Sequence, residues 1–214
     1  MPTIRSLITN RLSLTGGIAA GVMFLTGCGS AAPAAQPATT AAAAPTSTAT
    51  PKAVALADLF ITSLPSGFAL QPDSVGDTGP SDLAKAARDD GSAGAAALLT
   101  QDGFVAGYQR MWAQQSDGTY IVVFLYRFDN PAGAVSYEQH GVGLLTADSS
   151  GPKTSVSVPG ISGATGLTGT VQGRPVDGVD YAKGDYVVQV GMQGTSASPG
   201  VAIQLAQDQF ARLP

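Results

Sequence analysis

The sharpest pattern in the chain runs through residues 119–128. Tyr120, Val122, Phe124, Tyr126 and Phe128 fall on one side of an extended strand, and Ile121, Val123 and Leu125 fall on the other. Alternation that is apolar on both sides predicts a central strand, covered on two faces or on one face plus an interface. Residues 104–115 predict its hairpin partner, joined through Ser116-Asp117-Gly118. Asn130 followed by Pro131 marks the start of a helix, with asparagine as N-cap and proline in the first turn.

A second set of signals follows. Residues 164–172 and 185–194 predict strands, the latter with Tyr186, Val188, Val190 and Met192 on one face. Ser198-Pro199 opens a final helix in which Ile203, Ala206, Phe210 and Leu213 recur at helical spacing. Earlier, Ser81-Asp82 caps a short helix that Asp90-Gly91 interrupts, and residues 93–101 give a further helical piece. The repeated order of strand, strand and helix predicts an α+β domain, an antiparallel sheet with helices packed on it. It also hints at a loose strand–strand–helix pseudo-repeat, an echo of pattern and not of residue identity.

The first 27 residues are patterned differently. Arg5 and Arg11 precede an apolar stretch from Leu12 to Leu25 that Gly16, Gly17 and Gly21 interrupt. A permanent membrane span needs about 20 strongly apolar residues, so the stretch is expected to be a cleaved leader. It ends in Leu25-Thr26-Gly27-Cys28, and Cys28 is the only cysteine of the chain. Residues 29–51 are almost wholly Ala, Pro, Thr, Ser and Gly, without charge or large apolar groups. Such a composition predicts an unfolded, extended tether. The expected organisation is therefore a signal peptide at 1–27, a modified cysteine and tether at 28–52, and one globular domain at 53–214.

The tetrapeptide ending in Cys28 resembles the lipobox of bacterial lipoproteins, where a diacylglyceryl group is added to the thiol and the leader is then removed. The resemblance implies lipidation of Cys28 and a place on the outer face of the cytoplasmic membrane. Two acyl chains suffice for stable attachment. Together with Gly103-Phe104-Val105-Ala106-Gly107-Tyr108-Gln109-Arg110 and the closing Ala206-Gln207-Asp208-Gln209-Phe210, the layout is similar to actinobacterial lipoproteins of unassigned function. In strand and helix order it is distantly similar to PsbP-like sandwiches. Neither likeness carries a catalytic motif.

Charge narrows the partners. Without the leader, 187 residues remain, with nine basic and 15 acidic side chains and a formal net of −6. Nucleic acid and anionic lipid head groups both call for clustered Lys and Arg, so neither is expected to be bound by charge. The expected partners are the membrane, through the anchor, and a ligand or protein of the envelope that the residues do not identify.

Candidate chemistry is sparse. His140 is the only histidine, so a Ser-His-Asp triad would have to use it, and no serine lies in a G-x-S-x-G elbow. Zinc has too few His and Cys ligands here. Asp89-Asp90-Gly91 and Asp177-Gly178-Val179-Asp180 lack calcium-loop spacing and read as helix ends or turns. No phosphate or dinucleotide fingerprint is present, and neither a cofactor nor a metal is expected. One positive candidate stands out. Tyr108, Arg110 and Trp112 share a strand face, and aromatics interleaved with arginine line grooves for sugars or anions. The competing reading places the rings in the core. Two functions stay open, a non-enzymatic envelope module that binds a ligand or partner, and a carboxylate-based hydrolase of cell-wall glycan.

Overall fold

The computed structural model describes residues 55–214. The leader, Cys28 and the tether lie outside them. Among the described residues, strands β1 (Phe68–Leu70), β2 (Gly79–Ser81), β3 (Phe104–Gln114), β4 (Tyr120–Phe128), β5 (Lys153–Val156), β6 (Thr165–Val171), β7 (Arg174–Lys183) and β8 (Tyr186–Gln193) form one antiparallel sheet. Its order is β1-β3-β4-β8-β7-β6-β5, with β2 sharing the outer edge of β3. Helices α1 (Leu83–Asp90), α2 (Ala95–Gln101), α3 (Pro131–Ala147) and α4 (Pro199–Arg212) complete the α+β fold.

The strand with two apolar faces lies in the middle of the sheet, between β3 and β8. Val122, Phe124, Tyr126 and Phe128 meet Ala134 and Tyr137 of α3 and Leu99 of α2. On the reverse face Ile121, Val123 and Leu125 join Val188, Val190 and Met192, closed over by Ala202, Leu205 and Ala206 of α4. Two cores on two faces explain why this strand carries no polar face. The two strands expected before the last helix, at 164–172 and 185–194, are separated by the unpredicted β7, so the echo of β3-β4-α3 falls instead on β7-β8-α4. The two helices nevertheless cover opposite faces. A rotation that exchanges antiparallel neighbours leaves each face on its own side, so no rotation relates the halves.

Local chemistry sets the ends of these elements. The Asp82 carboxylate accepts from Lys85 N at 2.8 Å, capping α1, and Asn130 accepts from Gly133 N at 2.8 Å, capping α3. Strand β7, ten residues long and internal to the sheet, is not predicted by the hydrophobic pattern. Asp177 and Asp180 lie within it and are buried, where the sequence reads as a turn. Gln172 and Gly173 both adopt positive φ, at 52° and 77°, forming the tight turn that joins β6 to β7.

Candidate functional site: a cleft beneath α3

Helix α3 lies over β4, β8 and β7. On the sheet beneath it, Gly178 of β7 and Gly191 of β8 are direct cross-strand partners. Neither has a side chain, so two neighbouring central strands together leave a dent. A Cβ placed on Gly178 would meet only the Val190 carbonyl, at 3.7 Å. The next partners outward in the same row are Val122 on β4 and Leu167 on β6, which form the side walls. Leu145, near the end of α3, and Lys153, at the start of β5, complete the rim. The resulting cleft opens to solvent at its mouth, and its surface is dominated by carbon.

One end is polar. The row after the glycines is Phe124, Gln189 and Asp180, cross-strand neighbours that also line the cleft. Glu138 of α3, on one helical stripe with Gly141 and Leu145, lies close enough to Asp180 for the two carboxyls to act on each other. Glu138 is 8% exposed and its Oε1 has no hydrogen-bond partner. Burial, and then the neighbouring Asp180 carboxyl, push its pKa up to about 7. Asp177 belongs to the other face, in register with Thr168 and Met192, and burial raises its pKa as well. At the rim Lys153 is held by Asp148, with Nζ 2.6 Å from the carboxylate.

The aromatic and arginine candidates lie on the opposite face of the sheet and are brought together around Phe60. The rings of Tyr108 and Trp112 stand 5.7 and 6.4 Å from that of Phe60, centroid to centroid. The Arg110 guanidinium carbon lies 5.1 Å from the Phe60 centroid and 5.6 Å from that of Tyr108. Trp112 is buried in the core of that face. The Tyr108 hydroxyl donates to Asp73, which raises the tyrosine pKa. Phe60, from the segment leading into the domain, thus occupies the face that these three residues present.

His140 does meet a serine and an aspartate. Its Nε2 lies 3.3 Å from Ser92 Oγ and 3.3 Å from Asp90 Oδ2, while Ser92 Oγ donates directly to Asp90. A triad needs the serine on one ring nitrogen and the carboxylate on the other. Here one nitrogen meets both, and Tyr137 also donates to Asp90 at 3.0 Å. The cluster ties the end of α1 to α3. Among the described residues no group of His, Cys, Asp and Glu could hold a metal ion.

Sequence reasoning missed the cleft because it is made by register: Gly178 and Gly191, on the two strands of one hairpin, meet across strands only once β7 is recognised as a strand. The Gln172-Gly173 pair was the available signal, since a tight turn there requires a strand to follow.

No curated protein matches this chain. Among solved structures, the extracellular domain of PknH from Mycobacterium tuberculosis matches at 12% identity and a TM-score of 0.43. That match covers 54% of this chain and 68% of that one, and at this level the likeness carries no argument. The model of a family described as a domain of unknown function, DUF7373 N-terminal, matches residues 62–213. The chain belongs to the DUF7373 family.

Proposed function

We propose that this protein is an extracytoplasmic binding module, tethered through a lipid on Cys28, that holds a small apolar ligand in the cleft beneath α3. The observation that carries the proposal is the unfilled floor at Gly178 and Gly191, walled by Val122, Leu167, Phe124 and Leu145. Apolar walls with a few convergent polar groups at one end are the usual make-up of a small-molecule site. The lipobox-like Leu25-Thr26-Gly27-Cys28 and the tether that follows support the placement at the membrane.

The test is a comparison of native mass spectra for the chain purified from its own envelope and for the same chain carrying Gly178→Leu. A ligand mass present in the parent and lost in the variant is the expected result. A folded parent with no added mass, and no apolar ligand taken up on addition, would overturn it.

The hydrolase reading draws on one observation, Glu138 with its pKa near 7 beside a second carboxyl, as a general acid requires. The carbon-rich walls favour binding of an apolar group over a glycan. Glycan cleavage by the parent, abolished by Glu138→Gln, would reverse that preference.

A further inference from the structure

We infer that the ligand of this cleft is a cationic amphiphile, its alkyl tail along the Gly178–Gly191 floor and its ammonium head against Glu138 and Asp180. The inference rests on the reading of the cleft as an apolar-ligand site and adds the chemistry of the head group.

Three observations support it. Glu138 is 8% exposed and its Oε1 lacks a hydrogen-bond partner, so an acceptor has been taken out of water without a donor in return. The group it faces is another carboxyl, Asp180, which forms part of the cleft wall. Two carboxyls brought together out of water disfavour their shared ionised state, and an entering cation relieves that cost. Finally, the nearby cation at the rim is already engaged. Lys153 Nζ binds both the carboxylate and the backbone carbonyl of Asp148, at 2.6 and 2.9 Å. An ammonium head has three donors, one of which can meet the unpartnered Glu138 Oε1, while a carboxylate or phosphate head would bring a like charge to Glu138 and Asp180. The rest of the wall is apolar and would take a chain of methylenes at about 0.8 kcal/mol each.

The experiment is calorimetric titration of the mature chain, residues 28–214 with Cys28→Ser so that neither lipid nor detergent competes. The probes are octylammonium, octanol and octanoate, which share a tail and differ in head charge. Octylammonium is expected to bind about tenfold or more tighter than octanoate, with octanol between them. Glu138→Gln should bring the three towards parity, and Gly178→Leu should weaken all three alike. Gly178→Ala, a milder filling of the same floor, serves if the leucine variant does not fold. Octanoate or octanol binding as tightly as octylammonium would overturn the head-group assignment and leave the cleft reading standing. Failure of all three probes to bind the folded parent would remove both.

Discussion

The side chain of Gln209 and the backbone of Ile61 are joined inside the core. The Ile61 N–H donates to Gln209 Oε1 at 3.0 Å, and Gln209 Nε2 donates onward to the Leu59 carbonyl at 2.8 Å. Gln209 is wholly buried, and this pair fastens the segment leading into the domain to α4. Arg212 reinforces it by donating to the carbonyls of Leu59 and Asp58. Removing the carboxamide leaves the Ile61 N–H buried without its partner and the Leu59 carbonyl with Arg212 alone, at a cost of about 1–3 kcal/mol. Gln209→Leu should therefore lower the urea midpoint. Amide exchange at Ile61 should accelerate while that of β4 stays slow. Equal acceleration in both would mean the segment has no separate latch.

Glu138 predicts a pH dependence whose sign is fixed. Burial and Asp180 raise its pKa from the ordinary 4.5 to about 7, so the folded state binds its proton more tightly than the unfolded chain. The ionised form then weighs against folding above pH 7, and that cost fades as the pH falls through the window from about 7 to 4.5. Glu138→Gln should be more stable than the parent at pH 8, on the order of 1 kcal/mol once solvent screening is allowed for. The difference should vanish near pH 4.5. A constant difference across that window would show that the carboxyl is not the cause.

The contrast between β4 and β7 shows what the chain discloses before folding. Strand β4 is legible because seven successive apolar residues, Tyr120 to Tyr126, satisfy two cores at once, and α3 because Asn130 and Pro131 announce it. Strand β7 holds an equally internal place, yet its sequence carries Pro175, Gly178 and two aspartates, residue types depleted in strands. The proline is tolerated because it is the second residue of the strand. The glycine and Asp180 face the cleft, where a branched side chain would fill the floor and an apolar one would remove the polar end. The features that hid the strand are therefore those that make the site. The aromatic face of Tyr108 and Trp112 was legible as a face, but what covers it was not. Phe60 arrives from a segment more than 40 residues earlier in the chain.

Two glycines in α3 should respond in opposite directions to the same substitution. A Cβ on Gly133 would run into the Asp102 carbonyl oxygen, where α3 begins against the end of α2. That contact is with backbone and cannot be relieved by a side-chain rotation, so Gly133→Ala should cost about 3 kcal/mol. Gly143 is exposed in the same helix and has nothing within 4 Å of the added methyl. Gly143→Ala should stabilise by about 0.5–1 kcal/mol, since glycine in a helix interior carries that penalty relative to alanine. Thermal melts of the two variants beside the parent read both signs. A loss at position 143 comparable to that at 133 would mean that the helix environment has been misread.

The anchor is the part of the proposal that stands on sequence, and it can be separated from everything the fold contributes. Cys28 is the single thiol of the chain and follows Leu25-Thr26-Gly27 at the end of the apolar leader. If the thiol carries a diacylglyceryl group, the mature chain begins at residue 28, and its mass exceeds that of the bare polypeptide by the lipid. Its two buried acyl chains should hold it in the membrane fraction through washes in high salt and at high pH. The acidic mature body offers little electrostatic attraction to an anionic leaflet, so salt should not matter. Cys28→Ala removes the attachment point without touching the domain. The variant should then appear either as a soluble chain or as an unprocessed precursor that retains residues 1–27, and its melting temperature should match the parent's. Unchanged membrane partition together with an unchanged mass would refute lipidation, while leaving the cleft beneath α3 as it is.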